Sequence, residues 1–225
     1  MSDTAKRMAA LAAAELVQNG MCLGIGTGST AEHFISILGE RVQSGLSITG
    51  IATSDRSAAM CRRLGIGLTS LDETPVLDLA IDGTDEFDGG LNLIKGGGGA
   101  LLREKIVAAA AKRFIVIADG SKQVDVLGAF PLPIEIIPMA RIPISRRLAD
   151  LGASVALRLD AAGTPFQTDE GHWILDSAFG PKISAPEAFA KDLSAWPGVV
   201  EHGLFCGMTE RVLVATADKV TTIRS

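Results

Sequence analysis

Four short elements carry side chains suited to acid–base and anion-binding chemistry. Asp82-Gly83-Thr84-Asp85-Glu86 follows an apolar run, and its aspartates, three residues apart on a glycine-containing turn, can converge on the hydroxyls of a polyol. Lys95-Gly96-Gly97-Gly98-Gly99 sets a cation at the edge of four glycines. Such a run is entropically costly in an ordered loop, so close approach of its backbone to another group is the natural reason for it. Glu104 falls about one turn into the helix that follows. A glutamate there often only offsets the helix dipole; beside Lys95 and two aspartates a catalytic role is favoured. The fourth element, Gly24-Ile25-Gly26-Thr27-Gly28-Ser29-Thr30, lies between strand and helix patterns. Its N–H groups and hydroxyls at a helix start suit a phosphate. The bland readings are a capped turn for this segment and a solvated acidic turn for the aspartates. Together the four describe proton transfer on a small phosphorylated polyol.

Sharper motifs fail on single residues. No Gly-Lys-Ser/Thr closes the glycine turn as in a Walker loop, and Ser29 stands where GxGxxG needs its third glycine. An aspartyl-phosphate motif needs an acid where Ala80 sits, and the acidic turn lacks calcium-loop spacing. His33, His172 and His202 are scattered, so no metal site is expected. Lys122, after another apolar strand, reads equally as a crevice-facing or a solvated lysine.

The elements that must position these groups alternate. Helical and strand patterns follow one another from Asp3 to Asp119, which means parallel crossovers and a sheet covered on both faces. Beyond Phe130-Pro131 the order becomes β-α-β-β-α-β, the ferredoxin-like plan. Arg211–Thr216 offers a last strand that can return to the first sheet. The expected fold is α/β: a Rossmann-like, mostly parallel sheet domain over 1–130 and 207–225, and a smaller ferredoxin-like α+β domain over 131–206.

Composition narrows the partners. With 225 residues the chain can build one large domain or one medium and one small domain, each with its own core. Aromatic residues make up only 4% and the net charge is −5, which argues against a nucleic-acid binder. Charges or glycines break every apolar run before membrane-span length. Cys22, Cys61 and Cys206 show no CxxC spacing and cannot all pair, so free thiols in a reducing, cytoplasmic setting are expected.

Taken in order, GIGTGST, DGTDE, KGGGGALLREK, IADGSKQVDVLG and FPLPIEIIPMA resemble the type A ribose-5-phosphate isomerase family over nearly the whole chain. The resemblance implies interconversion of ribose 5-phosphate and ribulose 5-phosphate with neither metal nor other cofactor. It implies that Thr27, Gly28, Ser29 and Thr30 bind substrate, with Gly83 and Thr84 beside them. Asp82 and Asp85 would hold sugar hydroxyls and assist ring opening. Lys95, Gly96, Gly97 and Gly98 would contact the reacting end, Glu104 would be the base, Lys122 would bind substrate too, and Lys6 would add charge to the phosphate. Thr84 stands where a small alanine is more usual, and 160–171 is less like the family than the motifs are. A homodimer or homotetramer is expected, with no nucleic-acid or membrane partner. Two rivals differ in class: a nicotinamide-dependent oxidoreductase using Asp55 on the ribose, and a phosphosugar sensor without turnover.

Overall fold

A computed structural model describes residues 3–216 and 218–224. The chain divides into two compact units, Met1–Thr84 with Arg103–Gln123 and Met208–Ser225, and Asp85–Leu102 with Val124–Gly207.

The first unit is built on a seven-stranded sheet. From one edge its strands run Val220–Arg224, Arg211–Ala215, Phe114–Asp119, Leu79–Asp82, Cys22–Ile25, Thr49–Ala52 and Gly67–Leu68. All neighbours are parallel except the edge strand Val220–Arg224, which pairs antiparallel. Every residue of Cys22–Ile25, Leu79–Asp82 and Phe114–Asp119 is buried, as continuous apolar runs in a covered parallel sheet require. Helices Asp3–Ala14 and Ser29–Gln43 contribute Ala9, Ala13, Phe34, Ile35 and Leu38 to the same core. Each large apolar side chain buried there stabilises the unit by about 1.5–3 kcal/mol. Ser54 caps helix Asp55–Arg63 by accepting from the Ser57 amide at 3.1 Å. Cys61 is a buried free thiol, and burial pushes its pKa up to about 11.

The second unit holds a four-stranded antiparallel sheet in the order Val199–His202, Leu132–Ile136, Trp173–Ala178, Ser154–Leu157. With helices Arg141–Asp150 and Pro186–Ser194 between strands, this is the ferredoxin-like arrangement. Ile134, Ile136, Leu148, Leu175 and Leu193 form its core. A further small sheet joins Leu204–Phe205, Leu93–Ile94 and Glu86–Phe87. Residues 85–102 and 124–130 therefore belong to the second unit, whereas the sequence pattern runs the first domain through residue 130. Two-residue strands carry too little pattern to be seen in sequence.

An ion pair anchors the returning strand. Arg113 donates through Nε to Glu210 Oε2 at 2.7 Å and through Nη2 to Oε1 at 3.2 Å. The Arg113 guanidinium holds the Glu210 carboxyl down to about 2, with burial opposing it and Arg211 adding to it. A depressed carboxylate contributes stability above its usual value of 4.5 and loses it as pH falls toward about 2. Both side chains are about a third exposed, so solvent screening limits the contribution to about 1 kcal/mol. Glu210→Gln is expected to melt below the parent protein near neutral pH, with the gap closing as pH falls from 4.5 toward 2. Melting curves across that range check this, and a gap independent of pH overturns it.

Candidate active site

Strand order reverses direction once in the seven-stranded sheet. Cys22–Ile25 is followed outward by Thr49–Ala52 and Gly67–Leu68 on one side, and by Leu79–Asp82 and Phe114–Asp119 on the other. Ligands of open α/β sheets bind at this switch point, beyond the carboxyl ends of the strands. Gly26-Thr27-Gly28 leaves one of the two central strands there, and Asp82 ends the other.

Asp82, 3% exposed, ties the two strand ends together. Its Oδ1 accepts from the Thr27 amide at 3.0 Å and from the Gly83 amide at 2.7 Å. The Thr27 hydroxyl lies within hydrogen-bonding distance of Thr53, Ser54 and Ser57, at 2.7, 2.8 and 3.2 Å. Both donors of Thr27 are thus engaged inside the unit. Helix Ser29–Gln43 starts after Gly28, whose φ is +102°, and no side chain caps its first turn. Its leading amides have no intrahelical acceptor and suit an anion. Lys6 donates through Nζ to Ser29 Oγ at 2.7 Å, so a cation stands at that helix start.

Glu104 lies in the first turn of helix Leu101–Ala110 and is 5% exposed. It lines a narrow gap, too small to admit a water molecule, together with Asp82, Gly24, Gly26, Thr53 and Ala80. The helix comes this close because Gly24 has no side chain: a Cβ there would stand 2.5 Å from Val107 Cγ1 and 2.8 Å from Ala80 Cβ. Asp82 and Glu104, both buried, thereby border one gap at the switch point. The neighbouring Arg103 pairs with Asp55 at 2.7 Å, which engages the carboxylate a nicotinamide reading would place on a ribose. Beyond Phe114–Asp119, Asp119 Oδ1 accepts from the Ser121 amide at 2.8 Å and caps the short turn carrying Lys122.

The remaining candidates sit in the second unit. Asp85 accepts through Oδ2 from the Gly97 amide at 2.8 Å. Lys95 is 2% exposed; its amide donates to the Gly203 carbonyl at 2.9 Å and its Nζ stands 5.5 Å from the centre of the Phe205 ring. Gly96 is buried and Gly97 and Gly98 are exposed. The third acid of the turn plays a structural part. Glu86, 5% exposed, accepts from the Gly128 amide at 2.8 Å and from the Phe130 amide.

Several groups carry no signal in the sequence. Thr53 and Ser57 line the inner side of the Thr27 turn, and Arg158, Asp176 and Phe166 surround the glycine loop. Glu135, fully buried, is bonded to Thr168 Oγ1 at 2.9 Å and stands 3.0 Å from His172 Nδ1. Burial pushes its carboxyl above the usual range, against the pull of His172 and Thr168. Among the described residues no three His, Cys, Asp or Glu side chains are grouped to hold a metal, and no helix is long and apolar enough to cross a membrane.

Comparison with known proteins fits this geometry. The family described as Ribose 5-phosphate isomerase A (phosphoriboisomerase A) matches residues 49–219. Ribose-5-phosphate isomerase A of Sinorhizobium fredii is 56% identical over 223 residues, covering 97% of this chain and 96% of the relative. The solved ribose 5-phosphate isomerase A of Methanocaldococcus jannaschii superposes with a TM-score of 0.95 at 39% identity, over 100% of both chains. A D-ribose-5-phosphate isomerase solved in complex with phospho-erythronic acid gives 0.97 at 38% identity, again over 100% of both chains. By these likenesses over its whole length, the chain belongs to the ribose 5-phosphate isomerase A family.

Proposed function

We propose that the family's reaction, interconversion of ribose 5-phosphate and ribulose 5-phosphate, runs in this chain through an enediolate with Glu104 as the base. The observation that carries this reading is the burial of two acids at the switch point, Asp82 ending a central strand and Glu104 in the first turn of the helix that packs on Gly24. Glu104 takes the proton from C2 of the open-chain aldose. The C–H electron pair becomes the C1–C2 double bond, and the carbonyl oxygen takes the negative charge. Returning the proton to C1 while the C2 hydroxyl passes its own to the C1 oxygen yields the ketose, with its carbonyl at C2 and a hydroxyl at C1. One carboxylate within hydrogen-bond reach can perform both transfers.

The other groups divide the remaining work. Lys95 offsets the charge on the enediolate oxygen, a role typically worth about 10²–10³ in rate. Asp82 and Asp85 hold sugar hydroxyls and assist ring opening, with Gly83, Thr84 and Gly96–Gly98 along the same chain of atoms. Gly28, Ser29 and Thr30 take the phosphate at the uncapped helix start, with Lys6 and Lys122 supplying charge. Thr27, whose donors are engaged with Asp82 and the hydroxyl cluster, braces that turn. Phosphate binding far from the reacting carbon positions the sugar and supplies remote binding energy. Nothing in this set requires a metal or a nicotinamide, and the sensor reading leaves the buried base without a role.

Conversion of ribose 5-phosphate to ribulose 5-phosphate by the purified protein in excess EDTA tests the proposal. Robust turnover is expected; a folded protein without turnover overturns it. We propose a cytoplasmic homodimer or homotetramer, an assembly that light scattering measures directly. Met139, 91% exposed, with the exposed Ile137 and Ile142, supports such association.

A further inference from the structure

Arg158 follows strand Ser154–Leu157 in the second unit, and its side chain is 14% exposed. Asp176 of the neighbouring strand clamps it from one side, accepting from Nε at 2.9 Å through Oδ2 and from Nη2 through Oδ1. The third guanidinium nitrogen, Nη1, donates to the Gly96 carbonyl at 2.8 Å and to the Gly97 carbonyl at 3.3 Å. Phe166 lies beside the guanidinium, 6.0 Å from ring centre to Cζ, and fills the space above Gly99, where a Cβ would stand 2.6 Å from the ring.

The Gly96–Gly97 peptide is therefore gripped at both ends. A trans peptide is planar, with its carbonyl and amide pointing in opposite directions. Arg158 holds the Gly96 carbonyl, and the Gly97 amide on the far side donates to Asp85 at 2.8 Å. No cis peptide interrupts this stretch. Rotation of the peptide, otherwise easy between two glycines, would break a charge-assisted hydrogen bond at each end. A Cβ on Gly97 would stand 2.7 Å from Asp85 Oδ1, so the carboxylate lies directly on the loop backbone.

We propose that Arg158, anchored by Asp176, is a positioning residue: through the Gly96–Gly97 peptide it fixes the direction of the Asp85 carboxylate. This rests on the assignment of Asp85 to the sugar. Arg158 itself touches backbone rather than substrate. Lysine cannot replace it, because one ammonium cannot present the planar fork that spans Asp176 and two carbonyls at once.

Steady-state kinetics of Arg158→Lys, Asp176→Asn, Asp85→Asn and the double variant Arg158→Lys/Asp85→Asn, with melting curves alongside, test this. Arg158→Lys is expected to lower kcat/KM on the order of 10²-fold, the penalty of a misdirected group. Asp176→Asn leaves every loop contact in place but loosens the anchor, and it is expected to act in the same direction with a smaller loss. The double variant is expected to be no worse than Asp85→Asn alone, because both changes act on one carboxylate. A merely structural role would instead multiply the two losses and lower the melting temperature, and that result overturns the proposal. Parent-like kinetics of Arg158→Lys beside an impaired Asp85→Asn would sink the positioning role alone. A fully active Asp85→Asn would remove the assignment of Asp85 on which the role depends.

Discussion

Glu104→Gln is expected to lower kcat by about 10²–10⁴-fold, the range of a general base, while the protein stays folded and still binds phosphosugar. That loss corresponds to about 3–5 kcal/mol of barrier at roughly 1.36 kcal/mol per decade. Glutamine keeps the volume of the side chain, so the close packing of helix Leu101–Ala110 on Gly24 and Ala80 is undisturbed. A neutral amide is also easier to bury than a carboxylate, so the melting temperature is expected to hold or rise. KM is expected to change little, since the phosphate and hydroxyl contacts are assigned elsewhere. The variant should also fail to exchange the C2 proton of ribose 5-phosphate with solvent deuterium, because exchange needs the base even when turnover is not completed. Glu104→Asp keeps the charge but withdraws it by roughly 1 Å, and a displacement of that size is expected to cost on the order of 10²-fold. A Glu104→Gln protein within about tenfold of the parent kcat removes Glu104 from the base role and leaves Asp82 as the next acid in the same space.

The parts legible in sequence are those whose signal is local. Leu79–Asp82 and Phe114–Asp119 stand out because strands covered on both faces need unbroken apolar runs. The second unit is readable because its strand and helix patterns come in ferredoxin-like order. Asp82, Lys95 and Glu104 are drawn out as candidates because acids, a cation and glycines crowd a short stretch ending a strand and starting a helix. The strand Val220–Arg224 and the two-residue strands of the small sheet are not, because their pairing is set by tertiary partners. The same holds for Arg158. Strand Ser154–Leu157 pairs with Trp173–Ala178 in a register that sets Ala156 opposite Asp176, which brings Arg158 to that carboxylate. Spacing does not encode side-chain direction either. Thr27 looks like a ligand hydroxyl in the sequence, yet it turns toward Thr53, Ser54 and Ser57. Glu86, next to the two aspartates in the sequence, closes two backbone amides of a neighbouring loop.

Gly26→Ala is expected to abolish most activity and to destabilise the first unit at once. A Cβ on Gly26 would stand 2.1 Å from Asp82 Oδ1, 2.2 Å from Cγ and 2.7 Å from Cα. Swinging the Asp82 side chain away relieves the first two contacts but not the third, so the strand ends themselves must part. They are held by the Gly26 amide on the Ile81 carbonyl at 2.9 Å and by the Ser57 hydroxyl on the Gly26 carbonyl at 2.9 Å. Parting them also breaks the bond from the Thr27 amide to Asp82, which orients both the carboxylate and the anion-binding turn. Overpacking of this kind costs about 1–3 kcal/mol, or about 2–4 °C per kcal/mol for a protein of this size. Displacing Asp82 and the turn together is expected to reduce kcat/KM by at least about 10²-fold. Gly89→Ala, where a Cβ would meet nothing within 4 Å, serves as the control and is expected to match the parent in both measurements. Adding Asp82→Ala to Gly26→Ala removes two of the three overlaps. The double variant is therefore expected to regain part of the lost melting temperature without regaining activity, a non-additive result for two groups in contact. If Gly26→Ala instead melts and turns over like the parent, then Asp82 is not held by the packing of the two central strands. In that event the switch point does not owe its geometry to the missing side chain.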